Sequence, residues 1–584
     1  MRLETVTIKN FCSCASLEIA LSGFNPIIGY NNSGKSNILR AISWLLRKSV
    51  LNEHAFHDVG KAVIVEGCIS DVNIELLPLN QQTQVNRYIS QGRLHFRRRQ
   101  DAPNVSAAQI KVDVLDTTTG AWVANPVGLD NAIGVLFPDP LYIEAMDDAA
   151  DDIGRFSAKN TIGLLLKYSI EQIRRSNAAA LQTVLADLAT LGGHLTGPTR
   201  LAELGTLESD AGTHISEFFP GLGLHLDIAT PSLEDLIKGA TVSLSDSHGH
   251  QRPFTSFGHG AQRTVQMALI KLLASHVNQS NGRGAVTVLL IDEPELYLHP
   301  QAIELLRDSL ELLSDQNFQV IFSTHSPLML GNTHVLNTSM IYRNQAGETV
   351  SREKLATAAQ AIASHTHQSN VIFSIQNSTY LLFSEKVLVI EGKTEGMLIP
   401  VIYKAVTGRT LAQDKSCIIE GSSSSSTWPM TQILRGVGYK PKALVDLDYV
   451  FKVAPQLGLI VATDPDFIKC KDWFSTNVVT GGFGLGTDGF PTKRGAGGVF
   501  VATPPEQAFT NMASDNASEV QRLVGKLREQ DIWVWDSGAI ESCLGIQKND
   551  LARMNFITTA NSTQSINHAA NPRALEDLVE WFQT

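Results

Sequence analysis

Cysteine is scarce, six in 584 residues (Cys12, Cys14, Cys68, Cys417, Cys470 and Cys543), and no two stand in a C-x-x-C pair. That excludes a disulfide scaffold and predicts reduced thiols in a cytoplasm. Long apolar runs are missing too. None approaches the roughly 18 residues needed to cross a bilayer, and the amino terminus, MRLETVTIKN, lacks the apolar core of a signal peptide. The chain is therefore expected to be neither secreted nor membrane-spanning. An excess of positive charge is also lacking. With 47 basic against 58 acidic side chains and a net charge of −11, nucleic acid could bind only through a local patch or bridging metal ions. There is no internal repeat, and the only low-complexity run, Ser422 to Ser426, reads as a flexible loop after the strand CIIE.

What is present is globular: 43% hydrophobic and 18% charged residues, on a chain long enough for two to four domains of about 150 residues. Residues 3–9, 15–21 and 24–29 alternate as short strands, and 35–47 carries helix-spaced apolar positions. Short β-rich runs over 61–122 predict an antiparallel layer containing Arg97, Arg98 and Arg99. Residues 157–205 read as a helical insertion ended by the Gly/Pro break GGHLTGPTR. The α/β pattern resumes over 262–328 and breaks near 344–352. A second α/β domain starts at the strand KVLVIEG.

Gly29-Tyr-Asn-Asn-Ser-Gly34-Lys35-Ser36 matches G-x-x-x-x-G-K-S between an apolar strand and a helix. In that setting backbone N–H groups cradle phosphates, Lys35 neutralises their charge and Ser36 can ligate Mg²⁺. Asn32 and Asn37 fall within and just after the loop. The strand VTVLLIDEPE supplies Asp292 for the metal and Glu293 to orient or deprotonate water. His325 follows a further apolar strand in IFSTHSP, within reach of a γ-phosphate. Between them, Ser256-Phe-Gly258-His-Gly260-Ala-Gln-Arg263 is a Gly-rich turn opening a helix, another anion-ready terminus.

These four elements in this order, with ELYLHP after Asp292, resemble the ABC-type ATPases of the chromosome-maintenance and DNA-repair kind, over residues 1 to about 345. The resemblance implies ATP held between two heads, and hence a homodimer or higher homo-oligomer. Two positions depart from it: Gly258 stands where the signature has serine, and Cys12 where relatives carry arginine. Gln100 is the candidate for the glutamine loop.

In the second domain Glu391 ends a strand, with Glu395 one helical turn on. KALVDLD ends another strand with Asp446 and Asp448, which period-two alternation predicts to face one side. Such acids suit hard Mg²⁺ or Mn²⁺ ions. E-G-x-T-E followed by D-x-D resembles the Toprim pattern of topoisomerases, primases and some nucleases. An ABC-type head followed by a Toprim domain resembles, over nearly the whole chain, the overcoming-lysogenisation-defect (OLD) family nucleases. That resemblance maps a late G-x-x-E ligand segment onto Gly538 and Glu541. Where relatives carry a lysine just before the glycine, this chain has Trp535, Asp536 and Ser537, leaving Lys526 or Lys548 as substitutes.

The expected fold is thus α/β: an ABC/SMC-like ATPase domain (1–345) with a helical dimerisation insertion (about 151–225), a helical linker (346–384) and a Toprim domain with a parallel sheet (385–584). The implied function is ATP-regulated, metal-dependent DNA cleavage in antiphage defence, with one Mg²⁺ beside ATP and two Mg²⁺ or Mn²⁺ ions at the Toprim acids. DNA and a second copy of the chain are the implied partners, and a helicase or retron nucleic acid is a further one the resemblance allows. The alternative is an ATP-gated DNA-binding sensor or repair clamp with an inactive Toprim domain. Gly484-x-Gly486-x-x-Gly489 reads as a mobile substrate-facing loop, with Lys493 and Arg494 as a phosphate-contacting pair. The H-x-H pairs His248/His250 and His365/His367 read as surface loops.

Overall fold

The computed structural model describes residues 1–137, 140–144, 178–195, 199–226, 242–245, 248–280, 286–361, 375, 379–421, 423–493 and 501–584. Residues 151–177 of the expected insertion, Arg494 and the His365/His367 pair lie outside them. The chain forms two contact units, Met1–Phe24 with Ser36–Thr324, and Asn25–Lys35 with His325–Thr584.

The chain opens with the hairpin β1 (Arg2–Phe11) and β2 (Cys14–Ala20), then β3 (Phe24–Ile28). In the first unit the expected antiparallel layer continues that hairpin. β4 (Val63–Ser70) pairs with β1, followed by β5 (Leu94–Gln100), β6 (Lys111–Asp116) and β7 (Ala121–Val123). Alternation explains the burial: along β5 every second residue from Leu94 to Gln100 is inside. The arginine triplet is committed internally. Arg97 pairs with Asp113 at 2.9 Å, the fully buried Arg98 donates to the Leu45 carbonyl at 3.0 Å and to Asp130 at 2.8 Å, and Arg99 pairs with Asp101. Gln100 is buried and exchanges hydrogen bonds with the Leu51 backbone at 3.0 and 2.8 Å. It is a strand residue holding a loop, which removes it as a nucleotide-sensing glutamine.

A parallel trio follows, with β11 (Thr287–Ile291) between β8 (Leu141–Ile143) and β12 (Phe318–Thr324). Both β11 and β12 are buried along their whole length, as strands covered on both faces require. A short hairpin, β9 (Ser243–Ser245) with β10 (Gln251–Pro253), precedes the helix His259–Ser280. The insertion contributes the helices Ala178–Leu195 and Ala202–Phe218. The first runs through Gly192 and Gly193 but ends at Leu195, inside the expected break GGHLTGPTR, and the second starts beyond it. An interior glycine costs a helix only about 1 kcal/mol, too little to stop it.

In the second unit β3 pairs in parallel with β13 (Ser339–Arg343), which turns back into β14 (Thr349–Ser351). The 344–352 segment is a hairpin turn, closed by Asn344 and Glu348. The Toprim sheet is fully parallel, in the order β16 (Ser416–Glu420), β15 (Lys386–Ile390), β17 (Lys440–Val445), β20 (Ile532–Val534). Beside it the rings of Phe451, Phe467, Phe474, Phe490 and Phe509 pack with centroids 5.0–6.5 Å apart.

Two further expectations are corrected. The serine run is the start of a helix, Ser424–Gly436: Ser423 Oγ sits 2.8 Å from Ser426 Oγ, and Ser426 is buried. Serine suits a helix N-terminus, so the run that reads as a loop opens a helix, although its N-cap, Ser423, makes no side-chain capping bond. The Gly484–Gly489 segment is a hairpin of β18 (Gly484–Leu485) and β19 (Pro491–Thr492), anchored by buried Phe483 and Phe490.

Candidate functional site

The P-loop follows β3 and enters the helix Lys35–Leu46. Its glycines are required by geometry: a Cβ at Gly29 would run into the Ile341 carbonyl oxygen, and Gly34 has φ +105°. Lys35 Nζ lies 3.1 Å from the Gly29 carbonyl, 3.2 Å from that of Tyr30 and 2.8 Å from His325 Nε2. An ammonium can only donate, so His325 Nε2 accepts. Asn32, at φ 64°, accepts from Arg343 at 3.1 Å, and Thr349 Oγ1 donates to the Ser33 carbonyl at 2.9 Å. Ser33 Oγ is buried with no partner in the protein, as a lining for phosphate oxygens would be.

In the first unit Asn37 Nδ2 donates to Ser13 Oγ at 2.8 Å, tying the helix to the β1–β2 turn in which Cys12 has φ 48°. Asp292 follows β11 and is buried. Ser323 Oγ donates to its carboxylate, and the Glu293 N–H donates to Ser323 Oγ at 3.0 Å. Glu293 has φ 48°, a left-handed turn that carries the chain off the strand end. The Gly-rich segment leads into its helix with Arg263 Nη2 3.5 Å from the Glu293 carbonyl. A Cβ on Gly260 would stand 2.7 Å from the Tyr297 carbonyl oxygen, whereas one on Gly258 would meet nothing within 4 Å. The departure from serine at Gly258 is thus not forced by packing.

The Toprim acids gather where strands end. Glu391 follows β15, Asp446 follows β17, and Asp448 opens the helix Asp448–Lys452. The two aspartates therefore reach one site through a strand-to-helix turn, not through period-two alternation along a strand. Glu391, Asp446 and Asp448 line one cavity of about 410 Å³ with Lys452, Lys493, Glu506, Phe509, Gly538 and Lys548. Glu395 is buried in the first turn of the helix Lys393–Thr407, behind that wall. Glu541 is also buried and accepts from Arg553 Nη2 at 2.8 Å.

Burial, and then the charges of Asp448 and Glu395, push the Glu391 carboxyl up to about 7. Burial and then Glu391 raise Asp446 well above the usual carboxylate range, and burial raises Glu395. Glu391 Oε2 and Asp446 Oδ1 are buried without hydrogen-bond partners. Among the described residues no three His, Cys, Asp or Glu side chains stand close enough to share one ion as placed. The donor set nevertheless fits a hard divalent cation, because unpartnered carboxylate oxygens are what such an ion needs.

The structure also separates the two candidate lysines. Lys526 is paired with Asp464, while Lys548 lines the cavity and acts electrostatically on Glu391, Glu395 and Asp446. Lys452, Glu506 and Phe509 escape a sequence reading. Only Lys452, one helical turn after Asp448, carried a usable signal.

Residues 382–448 match the model of the "Overcoming lysogenization defect protein-like, TOPRIM domain". Residues 1–95 match an AAA ATPase domain, and 185–331 an AAA domain described as a putative AbiEii toxin of a type IV toxin–antitoxin system. The chain is 34% identical to the Old nuclease of Escherichia phage P2 over 565 residues, 94% of each chain. It belongs to the OLD family. Endonuclease GajA of Bacillus cereus (strain VD045) is 22% identical over 430 residues, 68% of this chain and 67% of that one. Among solved structures, an SMC head bound to the C-winged-helix domain of ScpA matches at 17% identity with a TM-score of 0.39, over 61% of this chain and all of that one. As an OLD-family chain, this protein joins segments of AAA ATPase type to a Toprim domain. Among the described residues no helix is long and apolar enough to cross a membrane.

Proposed function

We propose that this chain is an ATP-regulated, divalent-metal-dependent DNA endonuclease acting in defence against phage or other foreign DNA. The observation that carries this reading is the pair of buried, unpartnered carboxylate oxygens of Glu391 and Asp446 at the carboxyl edge of a parallel Toprim sheet. The names of two relatives, Old nuclease and Endonuclease GajA, support the same class.

Glu391, Asp446 and Asp448 bind Mg²⁺ or Mn²⁺ from the cavity wall, and Glu395 and Glu541 complete the oxygen set. Two ions held there would supply an activated water and a clamp on the leaving oxygen. Lys548 holds the scissile phosphate and Lys493 a neighbouring one, while Lys452 pairs with Asp448 at 3.3 Å and orients it. Being paired elsewhere, Lys526 takes no part.

In the head Lys35 binds the β/γ-phosphates of ATP within the loop of Gly29, Asn32 and Gly34, and Asn37 supports it. Ser36 and Asp292 hold one Mg²⁺, Glu293 orients the attacking water and His325 faces the γ-phosphate. Gly258 and Gly260 present their helix terminus to the ATP of a second subunit. Residues 1–345 act as the ATPase domain, about 151–225 as its dimerisation insertion, 346–384 as linker and 385–584 as the nuclease domain. Phe218 and Phe219, 78% and 64% exposed at the end of an insertion helix, support a homo-oligomeric contact there. The protein acts in the cytoplasm.

The test is cleavage of plasmid DNA with Mg²⁺ or Mn²⁺, with and without ATP. Metal-dependent cutting that disappears with EDTA is expected.

A further inference from the structure

The P-loop touches the residues that lead into β15, the strand before Glu391. Tyr30, the second residue of the loop, gives its carbonyl to Lys35 Nζ. Its side chain points away from the loop: the hydroxyl lies 3.5 Å from the Phe383 carbonyl, and Lys415 Nζ stands 4.6 Å from the ring centroid. Glu385 closes the group by accepting from Lys415 Nζ at 2.7 Å. Burial and the adjacent Glu385 push the Tyr30 hydroxyl up to about 12, so it remains a donor.

Glu385 and Lys415 occupy equivalent places, each one residue before a strand of the Toprim sheet. β15 and β16 pair in parallel from Lys386 and Ser416, and the Glu385 N–H donates to the Lys415 carbonyl at 2.7 Å. β15 is buried from Val387 to Ile390 and ends one residue before Glu391. At about 3.3 Å per residue, roughly 20 Å of packed strand joins the Tyr30 cluster to that acid. A cavity of about 80 Å³ between Tyr30, His325, Arg352, Glu385 and Tyr439 leaves these side chains room to shift. That volume would admit water but is too small for a nucleotide.

Lys35 Nζ donates to the Gly29 and Tyr30 carbonyls and to His325, and phosphate oxygens would compete with these acceptors for its three hydrogens. A phosphate that takes the hydrogen given to Tyr30 removes a bond from the Tyr30 carbonyl. We infer that Tyr30, Glu385 and Lys415 form a latch that couples nucleotide occupancy of the P-loop to the position of β15 and, through it, of Glu391. The inference rests on the reading of the P-loop as an ATP site and of Glu391 as a metal ligand. It supplies the two-state element that coupling between such sites requires.

The test is hydrogen exchange of residues 386–391 in the full-length protein, with and without a saturating non-hydrolysable ATP analogue. Nucleotide should change protection there by roughly fivefold or more, the low end of ordinary couplings. Glu385→Gln and Lys415→Met should each bind the analogue with wild-type affinity and lose the change. Tyr30→Phe, which keeps the ring, should reduce it. A wild type that binds nucleotide without altering β15, or variants that keep the full response, would overturn the latch alone. A wild type that binds no nucleotide would overturn the latch and the P-loop assignment together. Cleavage is not part of the readout, so the nuclease reading fails or stands separately.

Discussion

Lys35 Nζ and His325 Nε2 are 2.8 Å apart, joining the end of the P-loop to the residue that follows β12. The contact holds the ammonium over the loop, ready for phosphate. Lys35→Ala should therefore weaken ATP binding by roughly 30- to 150-fold, the loss of one or two charge-assisted bonds worth about 2–3 kcal/mol. Equilibrium binding of a fluorescent analogue measures it. Unchanged affinity would remove the loop from nucleotide binding.

Glu293→Gln keeps the side-chain shape and loses the basic oxygen. ATP should bind as before while hydrolysis slows by at least about 100-fold, the scale of general-base loss. Phosphate release in single turnover is the measurement, and wild-type turnover would take Glu293 out of the mechanism.

Glu391 gives the metal-free protein a pH dependence of definite sign. Its carboxyl sits at about 7 in the fold, against 4.5 for the ordinary group, so between those values the folded state binds more protons than the unfolded state. Stability should fall as pH rises from about 4.5 to 7, by about 3 kcal/mol from this group. Melting in EDTA across that range should show the decline, and Glu391→Gln should flatten it. Added Mn²⁺ should restore stability at the high-pH end, because a cation replaces the lost protons. A wild-type melting temperature that rises over the same range would contradict the burial of this acid.

Arg553 holds Glu541 where few waters reach, with side chains 14% and 9% exposed. Arg553→Ala leaves that carboxylate without its partner and should cost about 3 kcal/mol in urea unfolding without metal. Saturating Mn²⁺ should narrow the loss if Glu541 is a ligand. An equal loss with and without Mn²⁺ would leave Glu541 a structural ion-pair member only.

The sequence made some of this legible and hid the rest for physical reasons. The P-loop and the ends of β11, β15 and β17 could be read because glycine, lysine and acid positions there are set by local backbone geometry. The order of strands in the Toprim sheet and the cavity residues Glu506 and Phe509 could not, since the latter arrive from a separate helix far along the chain. Ser423 to Ser426 and the Gly484–Gly489 hairpin misled because the same residues serve loops, caps and tight turns. Gln100 misled because a buried amide that binds a loop backbone has no distinctive spacing.

The central claim is that Glu391 and Asp446 bind the metal that cuts DNA. The direct measurement is plasmid cleavage in Mg²⁺ or Mn²⁺ by wild type, Asp446→Ala and Glu391→Ala, with nucleotide affinity determined on the same preparations. The account predicts cutting by wild type, its loss in both variants and ATP binding unchanged in all three. Cutting by Asp446→Ala at the wild-type rate would contradict it.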